Sequence, residues 1–237
     1  MVKENVFKFD PKPITMLKAS TFQFIKDLKA NNNKEWFDAN RKIYQIAKDD
    51  FLNQVQALIT GLEGFDPEIS IAKLDPKKCI FRINRDTRFS TDKSPYKTNM
   101  GAWFSAGAKG VQKAGYYLHV EDGGCFLAGG LYMPETEALK KIRQEIHYNH
   151  KDLVAILNEK SFKQFFPKAL DTEHMLKKAP QGYKEDNPAI DLLKLKSFTA
   201  SHSFEAEKLL DAGFDAFAKE VFSSMYPLIK FLNQSFD

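Results

Sequence analysis

Apolar residues in the first third of the chain recur every three or four positions, the spacing of a helix that buries one face. From Ser20, the run TFQFIKDLKA brings Phe24, Ile25 and Leu28 together, and the asparagines at 31–33 end that helix and offer Asn33 as the cap of the next. The following segment, KEWFDANRKIYQIAKDDFLNQVQALITGL, repeats Trp36, Phe37, Asn40, Tyr44, Ala47, Phe51, Val55, Leu58 and Leu62 at helical steps, with Gly61 and Gly64 marking its end. Residues 20–62 are therefore expected to be helical.

Between residues 79 and 132 the period shortens. CIFRIN, MGAWFSA, GYYLHVE and CFLAGGLY are short runs rich in aromatic and β-branched residues, parted by loops of Ser, Pro, Gly and Lys. No ten-residue helical stretch lies between them, so crossover helices are lacking and a four-stranded antiparallel meander is expected. Gly123, Gly124, Gly129 and Gly130 bracket the last run and mark turns or a bulge. After Pro134 the helical period returns in ETEALKKIRQEIHYN, KDLVAILNE and SFKQFF. A polar stretch containing APQGYKEDNP follows, and then Leu210, Phe214, Phe217, Val221, Met225 and Leu228 define a last amphipathic helix, with a kink expected at Pro227. The pattern predicts one α+β domain: helices over 20–62 and 135–234, mainly on one face of an antiparallel sheet built from 79–132.

Composition agrees with a single globular unit, since 43% of the 237 residues are hydrophobic and 21 are Phe. The two cysteines, Cys79 and Cys125, each sit in an apolar run and are too few for a disulfide framework or a thiolate metal site, so both are expected to be buried and reduced. The opening MVKENVFKFDPKPITM lacks the continuous apolar stretch of a secretory signal, and no later run approaches the ~18 apolar residues of a membrane span. A cytoplasmic protein with no membrane partner is expected. Nothing in the pattern specifies an oligomeric state.

Charge adds a location. Lys73, Lys77, Lys78, Arg82, Arg85, Arg88, Lys93 and Lys97 face only Asp75, Asp86 and Asp92 within the same segment, an excess of five against a whole-chain charge of +4, which leaves the remainder at −1. Such a concentration favours an anionic partner. Read as a strand, the segment puts Cys79, Phe81 and Ile83 on one face and Ile80, Arg82, Asn84 and Asp86 on the other. The loop RFSTDKSPYK, stiffened by Pro95, then presents Arg88, Lys93 and Lys97. Arginine matches paired oxygens with a rigid fork and lysine supplies a movable charge, so Arg82, Arg85, Arg88, Lys93 and Lys97 form a candidate binding set for a phosphorylated or polycarboxylate small molecule. Asp86 would orient the arginines or act as an acid or base, and Tyr96 would supply a hydroxyl. The competing reading is an ion-pair network in which Asp86 and Asp92 hold arginines to anchor the loop.

The run RINRDTRFSTDKSPYK, with NNNKEWF upstream and LKKAPQGYKEDNP downstream, resembles the bacterial family of unknown function defined by an RxxRDxRFxxxKxxY motif. The motif positions fall on Arg82, Arg85, Asp86, Arg88, Phe89, Lys93 and Tyr96, and the likeness spans nearly the whole chain. The resemblance implies no activity; it singles out the same segment.

Other candidates are fewer. His119 shares a strand face with Tyr117 and Glu121, an arrangement that suits proton transfer, although a strand histidine ordinarily serves as a structural hydrogen-bonder. His147 and His150 have metal-like spacing without a third ligand, so no metal is expected. There is no GxxxxGK[ST] loop and no GxGxxG fingerprint, and Glu135 disfavours an anion at the helix start after Pro134, so neither a nucleotide hydrolase nor a cofactor is indicated. Trp36, Trp103, Tyr116, Tyr117 and Tyr132 could stack on bases beside the cations, but periodicity assigns most of them to the core. With a pI of 8.8, a noncatalytic module gripping a nucleic-acid backbone is the first alternative, and the ion-pair network the second.

Overall fold

The computed structural model describes residues 16–107 and 112–236. The sequence reading of the first fifteen residues lies outside them. Helix α1 (Ala19–Ala30) begins at Lys18, which cannot cap it, so Asp50 from a later helix accepts the Lys18 amide at 2.8 Å and the Thr21 hydroxyl at 2.6 Å. Asn33 caps α2 (Lys34–Ala39) by accepting the Trp36 amide. The single helix expected here is divided at Asn40, whose side-chain amide donates to the Trp36 carbonyl at 2.9 Å and competes with helix continuation. Helix α3 (Arg41–Glu63) then carries the buried stripe Ala47, Phe51, Val55, Leu58 and Leu62. Two short helices follow, α4 (Pro67–Ala72) and α5 (Pro76–Cys79), each with proline in its first turn and an aspartate, Asp66 or Asp75, capping it.

The sheet is a four-stranded antiparallel meander in the order β1 (Asn99–Phe104), β2 (Gly115–Glu121), β3 (Phe126–Leu131) and β4 (Phe198–Ser203). Three strands coincide with expected runs, but the fourth corrects the sequence reading. CIFRIN is not a strand of this sheet: Cys79 closes α5, and the next residues form just the isolated bridges Ile80 to Ala102 and Asn84 to Tyr96 among the described residues, not a continuous ladder. The fourth strand is instead FTASHS, inside the segment expected to be helical. Its Phe198 and Ala200 are buried while Ser201 and Ser203 are exposed, the alternation of a half-buried strand in a run too short and polar to stand out.

Between β3 and β4 lie α6 (Thr136–Asn158), α7 (Lys160–Phe165) and α8 (Ile190–Leu193). Two helices expected here are one, interrupted at Asn149, which leaves helical geometry at φ −121° and ψ 28°. Helix α9 (Phe214–Gln234) runs through Pro227. One sheet face carries Met100, Ala102, Phe104, Tyr116, Leu118, Val120, Leu127 and Ala200, all buried. Phe222 of α9 packs edge-on against Phe104 and Tyr116 from that side, and each such fully buried side chain contributes about 1.5–3 kcal/mol. The two glycines of β3 permit close approach. A Cβ on Gly129 would meet Met225 Sδ at 2.3 Å, and one on Gly130, where φ is +125°, would meet the Phe198 carbonyl at 1.9 Å. The opposite face carries Asn99, Gly101, Trp103, Tyr117, His119, Glu121 and Phe126, and leads to the site.

Candidate functional site

After Cys79 the chain runs extended beside the outer edge of β1. Phe81 N donates to the Gly101 carbonyl at 3.0 Å, Lys97 N to Ile83 at 2.8 Å and Arg85 N to Pro95 at 2.9 Å. Three residues separate the bridge partners Ile80 and Asn84, whereas five separate Tyr96 and Ala102. The two extra residues make a bulge spanning Lys97, Thr98 and Asn99, which re-aims these side chains. Phe81, expected to share a face with Cys79 and Ile83, is 50% exposed whereas those two are buried. Asn32 holds the far end of the loop through Tyr96, whose ring lies on Phe37 with centroids 4.0 Å apart.

Two adjoining cavities open at the bulge. One, of about 450 Å³, is lined by Phe81, Arg85, Asp86, Lys97, Asn99, Tyr117 and His119. The other, of about 400 Å³, is lined by Lys29, Asn32, Arg85, Asp92, Ser94, Tyr96, Lys97, Thr98 and Asn99. Both fall in the size range of small-molecule sites. Arg85, Lys97 and Asn99 belong to both.

The candidate cations divide. Arg88 is 76% exposed and forks onto Asp86, Nε to Oδ1 at 3.0 Å and Nη2 to Oδ2 at 2.7 Å. Lys93 donates to the Thr87 carbonyl at 2.9 Å. Neither lines a cavity, and both brace the loop. Arg85 pairs with Asp92 and reaches Ser90 Oγ at 3.4 Å while still lining both cavities. Lys97 is partly buried with its Nζ 5.0 Å from the Phe81 ring centre. Among the described residues neither Lys97 Nζ nor the exposed Arg82 guanidinium has a hydrogen bond or ion pair. The Arg88 fork lowers the Asp86 pKa, and hydrogen bonds from Ser94, then Arg85, hold that of Asp92 far down. Burial, followed by the charge of Arg82, lowers the pKa of Lys97. Tyr96 is buried, and its pKa is raised by that burial.

Tyr117 and His119, which line the first cavity, form with Glu121 a chain of hydrogen bonds along β2. Tyr117 Oη lies 2.9 Å from His119 Nδ1, His119 Nε2 lies 3.2 Å from Glu121 Oε2, and the Thr98 hydroxyl donates to Glu121 Oε1 at 2.8 Å. An ionised carboxylate only accepts, so Nε2 carries the proton; with the ring neutral, Nδ1 accepts from Tyr117. Phe126 stacks on the imidazole at 4.6 Å. Burial first, then Glu121, pushes the Tyr117 pKa up to about 12. Gly101 leaves room for this tyrosine, since a Cβ there would sit 2.5 Å from Oη.

The elements that shape these cavities, from the α1–α2 turn through β2, lie within residues 20–231, the span matched by the model of a family described as conserved hypothetical protein (DUF2461). The chain belongs to this family. No curated protein and no solved structure matches it. Every residue lining the two cavities of this DUF2461 protein falls in the matched span.

Sequence reasoning passed over Asn32, Thr98, Asn99 and Phe81 as site residues. Their side chains carry no charge, and the bulge and the loop closure bring them in. Among the described residues of the DUF2461 chain no group of three His, Cys, Asp or Glu side chains could hold a metal ion, and His147 Nδ1 is engaged by the Asn187 side chain at 3.0 Å. No helix among them is long and apolar enough to cross a membrane. Cys79 and Cys125 are free and buried.

Proposed function

We propose that the protein binds a small anionic molecule, phosphorylated or polycarboxylate, in the paired cavities beside the motif loop. The observation that carries this reading is Lys97, a partly buried amine that lines both cavities with no acidic partner among the described residues. Arg85 stands in the same walls, Arg82 adds to the field at Lys97, and Asn99 offers a neutral donor. A lysine amine without an acidic partner among the described residues, beside the Asp92-paired Arg85, favours an oxyanion. The cations gather at two open, shallow depressions, which supports a small molecule, whereas a nucleic-acid backbone would suit an extended basic groove. Arg88 and Lys93 enter this reading as braces of the loop.

A thermal-shift series with phosphorylated metabolites, polycarboxylates, short DNA and short RNA tests it. A ligand at a hundredfold excess over its dissociation constant stabilises by about 2.7 kcal/mol. Small anions are expected to raise Tm, and Arg85→Lys to weaken that response while the unliganded Tm changes little. A response confined to nucleic acid would favour the backbone-binding module. Collapse of the Arg85→Ala fold, with no anion shifting the wild type, would make the cluster a loop brace alone.

A further inference from the structure

We propose that Lys97 is a nucleophilic amine that condenses with the carbonyl of a 2-oxo acid in the first cavity, with Tyr117, His119 and Glu121 moving the protons. The proposal rests on the anion-binding reading, because the carboxylate of the 2-oxo acid would be the bound anion.

A surface lysine ordinarily reaches into water or pairs with a carboxylate. Lys97 is partly buried, its Nζ lies over Phe81, and no acid holds it among the described residues. Partial burial beside Arg82 lowers its pKa and enriches the free amine, as a nucleophilic lysine requires. The same cavity presents Tyr117 and His119, whose hydrogen bonds continue to a carboxylate fixed by Thr98. This is the order of a proton relay: a hydroxyl at the cavity, an imidazole behind it, and an anion to balance the imidazolium. Arg85 and Asn99 supply donors for a carboxylate on the same wall. A carbonyl is the electrophile this set can use, since its addition to an amine needs only proton transfers.

The step balances. The Lys97 ammonium, which makes no hydrogen bond at rest among the described residues, swings to Tyr117 Oη and passes it a proton as the tyrosine's own proton moves to His119 Nδ1, and Glu121 balances the imidazolium. The freed nitrogen lone pair forms the C–N bond while the carbonyl π pair moves onto oxygen. A proton migrates from nitrogen to that oxygen, the relay returns its stored proton to the same oxygen, the C–O bond breaks and water leaves. Ammonium plus ketone has become iminium plus water, and the relay is restored.

The test is reductive trapping of the full-length protein with pyruvate and cyanoborohydride, followed by peptide mass mapping. One reduced adduct is expected at Lys97, forming faster than at exposed lysines, because its lowered pKa enriches the free amine. Succinate, which has the carboxylates and no ketone, should slow the labelling. Lys97→Arg should abolish the adduct, and Tyr117→Phe should slow its formation. Adducts spread evenly over exposed lysines, or unchanged labelling of Lys97→Arg, would overturn the proposal. Stabilisation by succinate with no adduct at Lys97 removes the imine chemistry and leaves the anion site standing. No stabilisation by any anion, with no adduct, removes both.

Discussion

Asn32 holds Tyr96 by both of its backbone groups: its Nδ2 donates to the Tyr96 carbonyl at 2.9 Å, and its Oδ1 accepts the Tyr96 amide at 3.1 Å. A side chain in the α1–α2 turn thereby fixes the exit of the motif loop, 64 residues away in sequence. Asn32→Ala leaves both backbone groups without this partner, and one unsatisfied buried group costs about 1–3 kcal/mol. Denaturant unfolding should show a loss in that range. A variant as stable as the wild type would remove Asn32 from this role.

Gly101→Ala should act on the relay through space. The added methyl falls 2.5 Å from Tyr117 Oη, so the ring must shift and the bond to His119 Nδ1 must lengthen. Overpacking of this kind costs about 1–3 kcal/mol. The direct readout is the pattern of ring-nitrogen shifts of His119 by NMR, expected to lose the asymmetry of one donating and one accepting nitrogen. An unchanged pattern contradicts the geometry.

The motif loop should loosen in acid. Asp86 and Asp92 have folded pKa values below their ordinary one, owing to Arg88 in the first case and to Ser94 and then Arg85 in the second. Their contribution is therefore complete above the unfolded value of about 3.9 and is lost as pH falls through the lower folded values. Carboxyl chemical shifts followed downward from neutral pH should titrate below free aspartate for both residues, with Asp92 last. Titration of either at or above the ordinary value would break the argument.

Both thiols should be slow to react. Burial, with a further push from Asp75, raises the pKa of Cys79 to about 11, and burial also raises that of Cys125. The thiolate is the reactive form, so at mildly alkaline pH the native protein should alkylate far more slowly than a free thiol of pKa about 8.5. Both should react promptly on unfolding. Fast native labelling of either would show that its burial is not maintained.

The helical thirds were legible because their apolar steps, such as Phe51, Val55, Leu58 and Leu62, are long enough to declare a period. Asn40 and Asn149 interrupt that period without breaking the apolar pattern, so the division at one and the irregularity at the other were not. The sheet was legible in class and in three strands. CIFRIN has the composition of a strand yet meets a partner bulged by two residues, while FTASHS pairs fully with β3 despite small polar side chains. Pairing partners, which composition does not specify, decided both. The charge excess pointed to the segment that borders the cavities, but not to the separation of Arg85 and Lys97 from Arg88 and Lys93. That separation depends on which acids and carbonyls the closed loop brings within reach.

The extended stretch from Ile80 to Arg85 has a second consequence, for association between molecules. β1 is an end strand of the sheet, and this stretch lies along its open side. An uncovered strand edge is a template for pairing with another chain, and charged residues beside it discourage such pairing. Here Arg82 and Arg85 sit on the covering segment itself. Damage that detaches this stretch would therefore bare a sheet edge and remove its charged guard together, so a variant that loosens the loop should also be one that aggregates.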